Sequence, residues 1–299
     1  MRHDPPPARC GLSPLALALV LASAVLHASW NLVAKRAGGA TRGPAFVFSF
    51  SLLTTLIYAP FAIAQGGLRV PELGAAAAWA VVGSAVLHVG YFLALQRGYR
   101  VGDLSVVYPL ARGGGPALAT LGAIAWLGER PSALALTGTA LVVLGAAVLA
   151  TGRPPPGARL GPALRWGAVT AAFIASYTLW DARAVTHVGV PPLLFLWWSE
   201  LVRTVLLLPL ALVRRSEVVH VWRHHRRAVT AVATLTPLAY LLVLTAFTLA
   251  PVSLVAPARE VSVLIGAWLG ITVLGEGGRR RRLIAAATMV LGVALLTRG

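Results

Sequence analysis

An apolar run from about Asp103 to Trp126 carries a charge and several helix breakers in its middle: Tyr108-Pro109-Leu110-Ala111-Arg112-Gly113-Gly114-Gly115-Pro116. A run of that length is what a membrane-spanning helix requires. A guanidinium near its centre costs about 2.5 kcal/mol or more in lipid, so Arg112 belongs in a bundle interior or a wet cavity. Pro109 and Gly113 free backbone groups, which a bilayer tolerates only where protein or trapped water satisfies them. A second such segment, Val255-Ala256-Pro257-Ala258-Arg259-Glu260, lies in the run Val252 to Leu274. Two charged spans with helix-break signals in matching places, Pro109 with Gly113 and then Pro257, are a sequence pointer to a transporter's binding site.

Composition agrees. Only 12% of the 299 residues are charged and mean hydropathy is +0.78, whereas soluble domains carry about 25% charged residues. The chain therefore reads as an integral membrane protein with the bilayer as its partner. A net charge of +17 would suggest nucleic acid in a soluble protein. Here the basic residues fall mainly between apolar runs, as in Arg223-His224-His225-Arg226-Arg227 and Arg279-Arg280-Arg281-Arg282, which suits headgroup contact and topology instead. A single cysteine, Cys10, excludes an internal disulfide and a cysteine-based metal site. The tail before the first span is too polar and proline-rich for a signal peptide, so Ser13 to Ala34 reads as a retained span.

Hydropathy predicts ten spans, at roughly 13–34, 45–64, 75–97, 103–126, 132–151, 164–184, 191–213, 229–249, 252–274 and 283–297. The halves repeat at an offset of 147 residues. Ala28-Ser29-Trp30-Asn31-Leu32 matches Ala175-Ser176-Tyr177-Thr178-Leu179, and Arg112 falls on Arg259 and Glu129 on Glu276. The expected fold is thus an all-α membrane protein of ten transmembrane helices in two inverted five-helix repeats. A polar tail (1–12) precedes a first repeat (13–151), a linker (152–163) and a second repeat (164–297). An odd number of spans per repeat inverts the second half, with the site near the midplane between the repeats.

The ladders Gly115-Ala119-Ala123 and Ser262-Gly266-Gly270 align at the same offset and read as a helix-packing seam. Arg112 and Arg259 lie about 12–14 Å deep at 1.5 Å per residue. Entering from opposite faces of a core about 30 Å thick, they meet near its centre. Loops after the odd-numbered spans hold 17 basic residues against 6 in the tails and other loops, which by the positive-inside rule places both termini outside.

With its two five-span halves, the His27-Ala28-Ser29-Trp30-Asn31 stretch, Gly102-Asp103-Leu104-Ser105 leading into the Arg112 segment, and Leu-Gly-Glu closures at 127–129 and 274–276, the chain resembles the drug/metabolite transporter superfamily, EamA type. The resemblance implies that spans 1, 3, 4, 6, 8 and 9 surround a cavity while 5 and 10 pack outside. It also implies both termini inside, whereas the charge count places them outside. Members move amino acids, sugars, nucleotide-sugars and other metabolites. Small relatives carry a proton-coupling glutamate in the first span, and this chain has no acid there.

Arg112 and Arg259 are candidate clamps for a carboxylate or phosphate-like group; the structural alternative is capping of carbonyls freed by the prolines. His27 and Asn31, one turn apart, and Tyr91, Tyr108, Tyr177 and Tyr240 are candidate substrate contacts, whereas Trp180 near a span end reads as belt. His88 shares a face with Tyr91 and reads as an interhelical hydrogen-bonder. Glu260 and Glu200 are candidate proton carriers; for Glu200 the competing reading is an ion pair with Arg203, three residues on. Glu129, Glu276 and Asp103 read as helix caps. No metal, cofactor or enzyme motif is legible.

The expectation is a secondary transporter, an exporter, of a small polar metabolite with an anionic group, amino-acid-like or an organic anion. It works by alternating access in the cell (inner) membrane, with a homodimer as a possible assembly. The alternatives are a flippase subunit for a lipid-linked sugar and a membrane-embedded transferase.

Overall fold

The computed structural model describes residues 11–37, 43–67, 74–101, 104–150, 160–274 and 279–299. These form eleven helices and no strand: α1 Pro14–Ala37, α2 Pro44–Ala64, α3 Ala75–Val101, α4 Leu104–Trp126, α5 Ala133–Ala150, α6 Leu160–Thr186, α7 Pro192–Val213, α8 Arg215–Phe247, α9 Val252–Ala258, α10 Val261–Leu274 and α11 Arg279–Arg298. Pro44 and Pro192 open α2 and α7, where a missing N–H has no helical partner to lose. Segments within α1, α2, α3, α7 and α8 are long and apolar enough to cross a membrane.

The packing has an internal two-fold pattern. If α1 is exchanged with α6, α2 with α7, α3 with α8, α4 with α9–α10 and α5 with α11, the largest pairings map onto one another or onto themselves. Helix α1 lies on α8 as α6 lies on α3; α4 lies on α6 as α10 lies on α1; α2 lies on α8 as α3 lies on α7. Helix α4 lies on α5 as α10 lies on α11, and the pairings of α2 with α7, α5 with α11 and α4 with α9 map onto themselves. The halves interlock, so the core is shared between them.

The α5–α11 seam shows this at atomic scale. A Cβ on Gly138 would lie 2.7 Å from the Gly292 carbonyl oxygen, and a Cβ on Gly292 equally close to that of Gly138. Shifted by the 147-residue offset, this pair becomes Ala285 and Gly145, and a Cβ on Gly145 would lie 2.9 Å from the Ala285 carbonyl. Backbone cannot yield as a side-chain tip does. Gly138→Leu or Gly292→Leu is therefore expected to destabilise by about 1–3 kcal/mol through overpacking, read as an earlier thermal midpoint in detergent; an unchanged midpoint for both would refute the seam.

Several expectations change. Helix α4 runs unbroken through Pro109 and Gly113, with its glycines packed against two neighbours: Gly113 faces Val143 of α5, while Gly114 faces Ala171 and Gly115 faces Ile174 of α6. The break expected at Pro257 does occur, separating α9 from α10 at Arg259 and Glu260. The first ladder is a seam, with Ala119 and Ala123 fully buried. The second is not closed at Gly266, where nothing lies within 4 Å of an added Cβ. The stretch expected to be a connection, Arg214 to Arg227, is instead the first part of α8, which starts at Arg215 and kinks at His225.

Candidate functional site

Four segments bring the polar residues together. Helix α4 delivers Arg112, the α9–α10 break delivers Arg259 and Glu260, the first turn of α10 adds Ser262, and α1 adds His27. The Arg112 Nε lies 3.4 Å from the Glu260 carboxylate. Its Nη2 donates to the Ser262 hydroxyl at 3.1 Å and to His27 Nε2 at 3.3 Å. A guanidinium has only donors, so His27 accepts through Nε2 and its other nitrogen carries the hydrogen. Glu260 is 1% exposed. It is held by Arg112 from one half, with Arg259 of the other beside it in the chain.

Arg259 is different. It is 6% exposed, its Nε has no hydrogen-bond partner, and no ion pair reaches it among the described residues. Its electrostatic neighbours are Tyr177, Tyr240 and Glu260. In sequence Arg112 is the sharper clamp candidate and Glu260 the residue that could neutralise its neighbour Arg259; in the structure Glu260 makes its ion pair with Arg112 instead.

Beyond Arg259 lies an aromatic and acidic pole. Tyr240 of α8 donates its hydroxyl to the Asp181 carboxylate of α6 at 2.5 Å. His88 of α3 stands 3.9 Å from the same oxygen and bonds the Ser84 carbonyl through Nδ1 at 2.9 Å. The His88 ring stacks on Tyr177 at 4.3 Å, and Tyr91 meets Tyr177 edge-on at 5.7 Å. Asp181 is fully buried and its Oδ1 has no hydrogen-bond partner. This acid was missed as a site residue, yet a signal existed: Asp181 is one helical turn after Tyr177, and Ser84, His88 and Tyr91 share one face of α3.

Other candidates fall elsewhere. Asn31 turns its amide back to the His27 carbonyl within α1. Glu200 is paired with Arg203, whose Nε donates to Ser51 and whose guanidinium lies over Phe50 and Phe92. That group joins α2, α3 and α7, apart from the Arg112 cluster. Trp180 is not a belt residue: its Nε1 donates to the Ala80 carbonyl, tying α6 to α3. Glu129 caps the amino end of α9, accepting from the Val252 and Ser253 N–H groups, and not that of the helix following it, because the interlocked halves bring α9 to the end of α4. The Tyr108 and Pro109 side chains, Asp103 and Glu276 lie outside the described residues. Among those described, no cluster could hold a metal ion.

Residues 162–298 match the EamA-like transporter family. No curated protein matches the chain. Among solved structures, one recorded simply as a crystal structure of a protein aligns over 94% of this chain and 96% of its own, with a TM-score of 0.75 and 17% identity. At that identity the likeness shows the fold alone.

Proposed function

We propose that this chain, whose residues 162–298 match the EamA-like transporter family, is a drug/metabolite-type multi-pass secondary transporter of the inner membrane. It exports a small polar metabolite bearing a carboxylate, amino-acid-like or an organic anion, by alternating access between two inverted five-span repeats. The observation that carries this reading is the buried guanidinium of Arg259 with its unpartnered Nε. A charge in that position is held at a penalty unless an anion joins it. The neighbouring Tyr177 and Tyr240 supply rings and hydroxyls for the rest of the substrate, and Arg112 with Glu260 and His27 forms the wall that ties α4, α10 and α1 across the halves.

The test compares acids with their uncharged isosteres. Carboxylate metabolites and the corresponding amides are screened against the purified protein by thermal shift. The acid is expected to stabilise by about 2.7 kcal/mol at a hundred times its dissociation constant, and the amide by far less. Equal stabilisation by acid and amide overturns the assignment.

A further inference from the structure

On the flank of the bundle, separate from the polar site, lies an open groove of about 520 Å³ between α3, α6 and α7, with Pro44 at the start of α2. One stripe of α3 forms its long wall. Gly90, Leu93, Arg97 and Arg100 follow one another at helical spacing and so share a face. Phe173 of α6 and Leu210 of α7 line it too, and along each helix the arginines and Trp166 lie to one end of the apolar residues: Arg97 and Arg100 beyond Leu93, Trp166 two turns before Phe173, and Arg214 one turn after Leu210. Gly90 keeps the floor open, since a Cβ there would press on the Phe173 ring.

The polarity gradient has a length. From Arg100 to Gly90 is ten residues, about 15 Å of helix, which is half of a hydrocarbon core about 30 Å thick. The groove is therefore one leaflet deep, basic at the headgroup level and apolar below it. Among the described residues, the ion pair at this groove is Arg214 with Glu217 at 3.5 Å, and it leaves Arg97 and Arg100 for another anion. By the topology read from the sequence, the loops after the odd-numbered spans, Arg97–Arg100 and the Arg223-His224-His225-Arg226-Arg227 stretch included, share one face and hold most loop arginines, and the leaflet facing such an end is the anionic one.

We infer that this groove holds one anionic diacyl phospholipid, its phosphate on Arg97, Arg100 and Arg214 and one acyl chain along Leu93, Phe173 and Leu210. None of the groove's lining residues belongs to the polar site, so the lipid is a resident and not the cargo.

The test uses the full-length protein in a neutral detergent, with melting followed against added lipid. Phosphatidylglycerol is expected to raise the midpoint by several degrees more than phosphatidylcholine of the same chains, and native mass spectrometry should count one retained lipid. Inorganic phosphate and glycerol phosphate, which have the charge without the chain, should give no such increment. The triple variant Arg97→Gln/Arg100→Gln/Arg214→Gln should lose the difference between the two lipids. Leu93→Trp, which fills the apolar depth and leaves every charge, should lose it too and serves where the triple variant fails to fold. Equal shifts from both lipids, a matching shift from free phosphate, or a preference that survives Leu93→Trp overturns the assignment.

Discussion

Glu260→Gln should destabilise the protein by about 3–5 kcal/mol, the range expected when a buried pair loses one partner, and Arg112→Met should destabilise it less. The ordering follows from the charges in the site. Arg112, Glu260 and Arg259 sum to one positive charge, with the carboxylate beside both guanidiniums. Removing the carboxylate leaves two buried cations facing each other, whereas removing Arg112 leaves Glu260 next to Arg259 and the site neutral. Loss of Arg112 also frees His27 Nε2 and the Ser262 hydroxyl, but these are neutral groups. The double variant should recover part of the loss, giving a coupling energy of about 1–3 kcal/mol in a double-mutant cycle. Equilibrium unfolding in mixed micelles measures all three proteins. Simple additivity, or a larger loss for Arg112→Met than for Glu260→Gln, would sink the view that this carboxylate bridges two arginines across the halves.

The residues read most reliably from sequence were those whose meaning is local. A charge in a 20-residue apolar run has to face inward whatever surrounds it, and Arg112 and Arg259 do. The 147-residue offset carried more than expected, because it also predicts the contact Gly145–Ala285 from Gly138–Gly292. What the sequence could not carry is partnership. Arg112 and Arg259 are equivalent in the repeat, yet the acid beside them comes from the second half alone and makes its 3.4 Å ion pair with Arg112, since Glu260 has no acidic counterpart at Gly113. That asymmetry becomes visible once the acid from one half is seen against the arginine of the other. Asp181 was passed over for the same reason: its partners Tyr240 and His88 stand on α8 and α3, 59 residues later and 93 residues earlier. Proline misled in the opposite direction. Pro109 promised a break that α4, packed against α5 and α6, does not show, while Pro257 lies in a seven-residue helix that ends at the next residue.

At Arg259 the expected signs are opposite for stability and for transport. Arg259→Gln should leave the empty protein as stable as before, or more so, because the site loses its excess positive charge while Glu260 keeps its ion pair with Arg112, and replacing a buried charge is often neutral or stabilising. The same change should weaken the carboxylate substrate. A hydrogen bond to a charged group contributes about 1.5–3 kcal/mol, and each 1.4 kcal/mol is tenfold, so binding should fall roughly 10- to 150-fold. Arg259→Lys keeps the charge but loses the two-pronged fork, and belongs between the native protein and the glutamine variant. A guanidinium whose work is to cap the carbonyls near Pro257 behaves differently: its loss lowers stability and touches transport only through folding. Counterflow in liposomes together with unfolding in micelles therefore separates the two roles. Native-like affinity for the acid in Arg259→Gln, or an early unfolding transition with affinity intact, would remove Arg259 from the site and with it the anionic substrate.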